Sequence, residues 1–163
     1  MSVQLVLILI LFGIIEWSLT FKDALTVASA TRAGARTASA EPRNPDFAED
    51  AARAVLTAAT ALPDDSIEEL WIYKAPADGT PTCTASACVK FIWDSAADDF
   101  VRDTSFDWDY ESQNACAGES DAVGVYLKVS HDFVSGVIPG DGVTLTDNTV
   151  MNLEPRAAFE GCK

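Results

Sequence analysis

The stretch VQLVLILILFGIIEWSLTFKDALTVASATRAGARTASA, residues 3–40, decides the fold of this chain. It contains no proline, and leucine, isoleucine and alanine, all compatible with a helix, dominate it. Only Gly13 and Gly34 are weak helix formers. The stretch therefore predicts one continuous helix, about 57 Å long at 1.5 Å per residue.

The first half of this helix, Val3 to Phe21, is apolar enough to cross a bilayer, which takes about 20 residues. Glu16 interrupts the apolar run, and a carboxylate in hydrocarbon costs roughly 2.5–3.5 kcal/mol. We therefore expect Glu16 either at the membrane interface beside Trp17 or paired with another subunit. The pattern predicts a membrane anchor over residues 1–22.

A cleaved secretory signal is the alternative to an anchor. Ala28-Ser29-Ala30 has the small-x-small form of a cleavage site. However, Glu16, Lys22 and Asp23 lie between this site and the uninterrupted apolar stretch that ends at Ile15. No basic residue precedes that stretch. The anchor is the favoured interpretation.

Beyond the anchor, Ala30, Gly34 and Ala38 recur every four residues and so share one face of the helix. A face of small residues allows another backbone to approach closely. Two partners remain open for it, the protein's own sheet and a helix of another subunit. We assign Glu16 and this small-residue face to helix packing or assembly.

The rest of the chain, residues 23–163, is predicted to form one α+β domain that includes the continuing helix. After the break at residues 41–45, an apolar stripe at spacings of three and four predicts a second, amphipathic helix. Its members are Phe47, Ala51, Val55, Ala58 and Leu62. From Ile67 the apolar period changes to two, and four segments alternate as strands. Helices followed by strands predict an antiparallel sheet of about four strands packed on helix.

The cysteines are Cys83, Cys88, Cys116 and Cys162. An even number beyond an apolar N-terminal segment favours two disulfides in an oxidising compartment over a zinc site or free thiols. The small residues between the first two favour pairing Cys83 with Cys88 and Cys116 with Cys162, although four cysteines allow three connectivities.

The charge is strongly acidic, with 25 acidic and 11 basic residues and a formal net charge of -14. A nucleic-acid partner would require basic clusters, and the sequence has none. The acidic segment Asp98 to Glu111 is the one metal candidate. Its carboxylates could bind calcium, but their spacing does not fit a calcium loop and favours a solvated loop. The candidates are Asp103, Asp107, Asp109 and Glu111.

Little in the sequence indicates catalysis. His131 is the sole histidine, and it alternates in phase with Val129 and Phe133 on a predicted strand, which favours a structural role. No nucleophile elbow or glycine-rich phosphate loop is visible. We predict a non-enzymatic protein with no catalytic residues, cofactor, metal or small-molecule substrate.

Two stretches resemble the TadE-like proteins of bacterial Tad (Flp-type) pilus systems. Gly13 to Ser39 is similar to that family's apolar helix followed by an aromatic residue, a polar turn and an A-x-R-x-G-A-R segment. Val123 to Arg156 resembles the closing part of actinobacterial members, with its V-M-x-L-E-P ending. The resemblance implies a pilin-like subunit with one membrane helix.

From the resemblance and the anchor we expect a minor pilin or pseudopilin of a Tad-type pilus assembly system. Its partners would be other pilin-like subunits, the pilus assembly machinery and the lipid bilayer around Val3 to Phe21. It would lie in the bacterial cytoplasmic membrane as a single-pass protein with an extracytoplasmic C-terminal domain. The alternative is a membrane-tethered extracellular binding or adhesion domain unrelated to pili.

Overall fold

The computed structural model describes residues 3–136 and 140–156. Two helices precede the strands, and within these residues five strands form one antiparallel sheet in the order β3-β2-β1-β4-β5. The helices are α1 (Val3–Ala40) and α2 (Phe47–Ala58). The strands are β1 (Ile67–Ala75), β2 (Cys88–Asp94), β3 (Asp99–Asp103), β4 (Ala122–Asp132) and β5 (Gly142–Asn152). The α+β fold class and the long N-terminal helix are confirmed.

Helix α1 has two halves with opposite surroundings. Every large apolar side chain from Val3 to Ile15 is exposed. From Glu16 onward one side of the helix is buried, and Val27, Ala30 and Ala35 are at most 1% exposed. The helix therefore leaves the folded domain at Glu16. Toward the N-terminus it continues with its large apolar side chains exposed, and we call this half the apolar rod.

The core lies between the two helices and one face of the sheet. Alternating residues of the strands point toward the helices, as the period of two in the sequence predicts. The fully or nearly fully buried members are Leu70, Ile72, Val89, Phe91, Val123, Val125, Leu127 and Val129. Helix α2 contributes Phe47, Ala51 and Val55 to the same core. This burial fixes α1 in place along the sheet.

Strand β3 was not predicted, and it lies inside the acidic segment that the sequence indicated to be a solvated loop. It pairs with β2 in register Trp93 to Phe100, and the two rings stand edge to face with centroids 5.3 Å apart. Aspartate is disfavoured in strands, so the local composition hides this element. The tight turn before it contains Asp98 at φ 53°, a left-handed conformation that aspartate tolerates.

Strand β5 is continuous through its polar centre, residues 146–148, because a hydroxyl group on α1 binds polar side chains there. The Thr31 hydroxyl lies 2.6 Å from Asp147 Oδ2 and 3.1 Å from Thr149 Oγ1. Thr31 is fully buried, so these polar groups satisfy one another between helix and strand. The contact holds the edge strand against α1.

Candidate functional site at the junction of helix and domain

The junction is centred on Glu16, where the apolar half of α1 meets the domain. Its carboxylate oxygens accept hydrogen bonds from the backbone N–H groups of Val134, at 2.6 Å, and Ser135, at 3.0 Å. These two residues follow the end of β4, and the carboxylate satisfies their backbone N–H groups. Glu16 is only 1% exposed, and its carboxylate is paired within its own chain.

This pairing gives Glu16 an intramolecular partner, beside the two settings that the sequence leaves open, the membrane interface next to Trp17 and a contact with another subunit. The structure supplies a partner 118 residues away, in the segment between β4 and β5. The desolvation argument therefore no longer requires a second subunit.

A second contact, about two helical turns further along α1, joins the helix to β4. Asp23 Oδ2 lies 2.7 Å from His131 Nδ1, and both side chains are less than 10% exposed. The neutral imidazole can donate its Nδ1–H to the carboxylate. Within the described residues Nε2 of His131 has no hydrogen-bond partner. The pair links α1 to β4, which agrees with the structural role favoured for His131.

A cavity of about 290 Å³ lies beside this pair. Lys22 is at its edge, where Nζ donates to the Ala61 carbonyl at 2.7 Å and lies 3.4 Å from Asp23 Oδ1. The lysine thereby also links α1 to the backbone three residues after the end of α2. Three contacts, at Glu16, Lys22 and Asp23, thus fasten this stretch of the helix to the domain.

The small-residue face packs inside the protein. Ala30 and Ala38 are fully buried, and a Cβ added at Gly34 would lie 2.5 Å from Val55 Cγ2 and 3.3 Å from Val125 Cγ1. The glycine lets α1 approach α2 and β4 closely. Of the two partners left open by the sequence, the structure shows the protein's own domain, and contact of this face with another subunit stays a prediction.

Another face of α1 stays uncovered, and the sequence interpretation missed it. Trp17, Phe21 and Leu25 are 72%, 64% and 56% exposed and recur every four residues. Their spacing was a readable signal, but the apolar run was assigned as a whole to the bilayer. Trp17 also lines a groove with Phe133, which follows β4.

The structure describes one of the two predicted disulfides in full. A disulfide joins Cys83 to Cys88, the pairing that the sequence favoured, and it closes the loop that leads into β2. Cys116 is buried and disulfide-bonded. The predicted bridge to Cys162 lies outside the described residues.

Three of the four carboxylates considered as calcium ligands have other partners. Asp107 pairs with Arg102 at 2.6 Å, while Asp103 and Asp109 accept the backbone N–H groups of Ser105 and Glu111 at 2.9 Å each. In the described part of the chain, no three His, Cys, Asp or Glu side chains are placed to hold a metal ion. The segment consists of strand β3 and turns, and Arg102 forms ion pairs with Glu49 and Asp107.

The sheet face opposite the helices carries an ion pair at its centre. The carboxylate of Glu69 lies 2.6 Å from Lys90 Nζ and accepts the indole N–H of Trp71 at 3.2 Å. Burial raises the pKa of Glu69, but these two hydrogen bonds, together with the positive charges of Lys90 and Lys128, hold the pKa below its ordinary value. The Trp71 ring in turn stacks on Tyr126, with centroids 4.4 Å apart.

Comparison with known proteins gives one match. The family model described as TadE-like protein matches residues 4–36, all of them in α1. No curated protein and no solved structure matches the chain. The match covers the N-terminal resemblance and does not extend to Val123–Arg156. Within the described residues, α1 is the one helix long and apolar enough to cross a membrane. This match suggests a component associated with a Tad pilus system, and the similarity to TadE-like proteins is confined to residues 4–36.

Proposed function

We propose that this chain is a membrane-anchored structural subunit, a minor pilin or pseudopilin, of a Tad-type pilus assembly system. The observation that carries the proposal is α1 itself, because the TadE-like segment coincides with the part of the helix that runs from exposed apolar surface into the core. Its partners would be other pilin-like subunits and the assembly machinery.

The continuity of α1 supports a mechanical role. The helix passes from its apolar half into the core without a break, and contacts at Glu16 and Asp23 fasten it where it enters. A flexible linker would let the domain swivel about its anchor. A continuous helix instead makes domain and anchor move together, which suits a subunit that transmits position or force within an assembly.

We place the domain outside the cytoplasm of a bacterial cell, on a single-pass anchor in the cytoplasmic membrane. The Cys83–Cys88 disulfide supports this orientation, since such bonds persist in oxidising compartments. The exposed Arg32 and Arg36 oppose it under the positive-inside tendency, but both project from the part of α1 that is packed on the domain. We also propose that the chain catalyses no reaction, in keeping with the structural setting of His131.

The test is a deletion in the native host. Cells without this chain should make few or no pili under the electron microscope, and the full chain should restore them. The matched control is the same domain released from the membrane by a cleavable secretion signal in place of residues 1–15, which should accumulate outside the cytoplasm without restoring pili. Normal pili in the deletion strain would contradict the proposal and favour a membrane-tethered binding domain.

A further inference from the structure

The apolar half of α1 meets the domain at Glu16, and this level determines how deep the domain lies relative to a membrane. The large apolar side chains from Val3 to Ile15 are exposed all around the helix, so no side of this rod is covered by the domain. Lipid is the medium that suits such a surface. Hydrocarbon should therefore extend along the rod to the point where the domain begins, at Glu16.

The part of the domain at that level is the segment 133–136, which we call the hairpin segment. Its backbone binds the Glu16 carboxylate directly. Val134 is 78% exposed, the largest exposure of any apolar side chain described outside α1, and Phe133 lines a groove with Trp17. Exposed apolar groups on both α1 and the hairpin segment thus surround the point where the rod leaves the domain.

The distances along the helix match the thickness of a headgroup layer. Trp17 and Phe21 lie about 1.5 and 7.5 Å past Glu16 at 1.5 Å per residue. The polar layer on each side of a bilayer is roughly 5–8 Å thick, from the difference between total and hydrocarbon thickness. Both aromatic rings therefore fall within that layer, where the amphipathic ring of tryptophan is favoured.

We infer that the hairpin segment, together with Trp17 and Phe21, is a membrane-docking surface that rests in the headgroup region of the bilayer crossed by α1. The contact is apolar, since the segment 133–136 holds no charged residue. The carboxylates of Asp132 and Asp141, which flank it, are exposed to solvent. Glu16 acts as a positioning residue that holds the hairpin segment against the helix at this depth. The inference rests on the anchor in the proposed function and is independent of the pilus.

Spin labels on the full-length chain in phosphatidylcholine nanodiscs, one copy per disc, test the depth. One cysteine is added to the native chain in each of three variants, Leu9→Cys, Val134→Cys and Val101→Cys. They are labelled without reductant so that the native disulfides stay closed, and the wild-type chain is the control for background labelling. Accessibility to oxygen, which enters lipid, is compared with accessibility to a water-soluble nickel chelate. Val101 is the matched control because it is an apolar side chain, 50% exposed, on edge strand β3.

The label at position 134 should show a severalfold higher oxygen-to-nickel ratio than the label at 101, and a lower ratio than the label at 9. A label at 134 as accessible to nickel as the one at 101 would overturn the docking surface. A label at 9 that is also in water would instead remove the anchor itself, so the two failures are distinguishable. If 134 becomes protected from both reagents only in discs with two copies, another copy covers the segment, and the inference is wrong.

The role of Glu16 has its own readout. In the Glu16→Ala background the label at 134 should move toward water, while a label at Trp17→Cys on the helix should keep its depth. Glu16→Gln keeps one oxygen acceptor and should hold the hairpin segment in part. An unchanged label at 134 in Glu16→Ala would refute the positioning role.

Discussion

Replacing Gly34 by leucine tests whether the small-residue face belongs to the domain or to an assembly. A Cβ at this position would lie 2.5 Å from Val55 Cγ2, 3.3 Å from Val125 Cγ1 and 3.4 Å from the Ala51 carbonyl oxygen. Alanine would gain up to about 1 kcal/mol of helix propensity and lose roughly 1–3 kcal/mol through overpacking. Gly34→Ala should therefore cost about 0–3 kcal/mol of unfolding free energy.

Leucine forces three further carbon atoms into the same space, between a helix and a sheet that are both packed. We expect Gly34→Leu to cost at least about 3 kcal/mol, the upper end of measured overpacking costs. For a chain of this size each kcal/mol lowers the melting temperature by about 2–4 °C, so the shift should be roughly 6–12 °C.

The assay is thermal and urea unfolding of the full-length chain in detergent micelles, followed by tryptophan fluorescence. Trp108 is a suitable reporter because it is 2% exposed and packs edge to face on Phe47 of α2. Gly13→Leu is the matched control, the same substitution in the same helix, where a new Cβ would meet nothing within 4 Å. It should leave the unfolding of the domain unchanged.

The reasoning would be refuted by a particular pair of results. If Gly34→Leu melts with the wild type while binding to pilin-like partners is lost, the face is an assembly surface and not part of the core. Equal destabilisation by Gly13→Leu would show that the effect comes from the helix or the micelle, not from the contact with Val55.

Three further predictions concern the sheet and its loops. Gly124→Ala should destabilise the domain by about 1–3 kcal/mol, because the new Cβ would lie 2.6 Å from Cε1 and Oη of the buried Tyr73 ring; an unchanged melting curve by circular dichroism would contradict this. Replacing both Cys83 and Cys88 by serine should cost about 2 kcal/mol, since the bridge closes a short loop; the urea midpoint of the double variant should lie below that of the oxidised wild type, and an unchanged midpoint would contradict this. The lowered pKa of Glu69 means that its stabilising contribution is complete above its unfolded pKa and is lost as the pH falls through the folded one. The stability difference between wild type and Glu69→Gln should therefore stay constant from about pH 7 to about pH 5.5 and shrink below about pH 4.5, and a difference that grows on acidification would be the wrong sign.

The sequence by itself determined the features that depend on neighbouring residues. Continuous helix formers and the absence of proline predict α1, and the change of apolar period near Ile67 predicts four of the strands. The short spacing between Cys83 and Cys88 favoured their disulfide. These patterns are local, because a backbone conformation repeats every two or about four residues and leaves its period in the chain.

Strand β3 shows where local signals fail. Its aspartates are poor strand formers, and the element is held by pairing with β2 and by the edge-to-face contact of Phe100 with Trp93. Arg102, the fourth of its five residues, makes ion pairs with Glu49 of α2 and with Asp107. A partner 53 residues away, on another element, is not encoded in the composition of the segment itself.

Only the tertiary structure decided what the polar residues and the small face of α1 contact. Glu16 reaches the backbone after β4, and Asp23 reaches His131, across 118 and 108 residues of sequence. The sequence shows that a carboxylate beside an apolar run needs a partner and that a row of small residues permits close packing. Which surface supplies the partner depends on how helix and sheet come together, since hydrogen bonding and packing act over ångströms in space and not over positions in the chain.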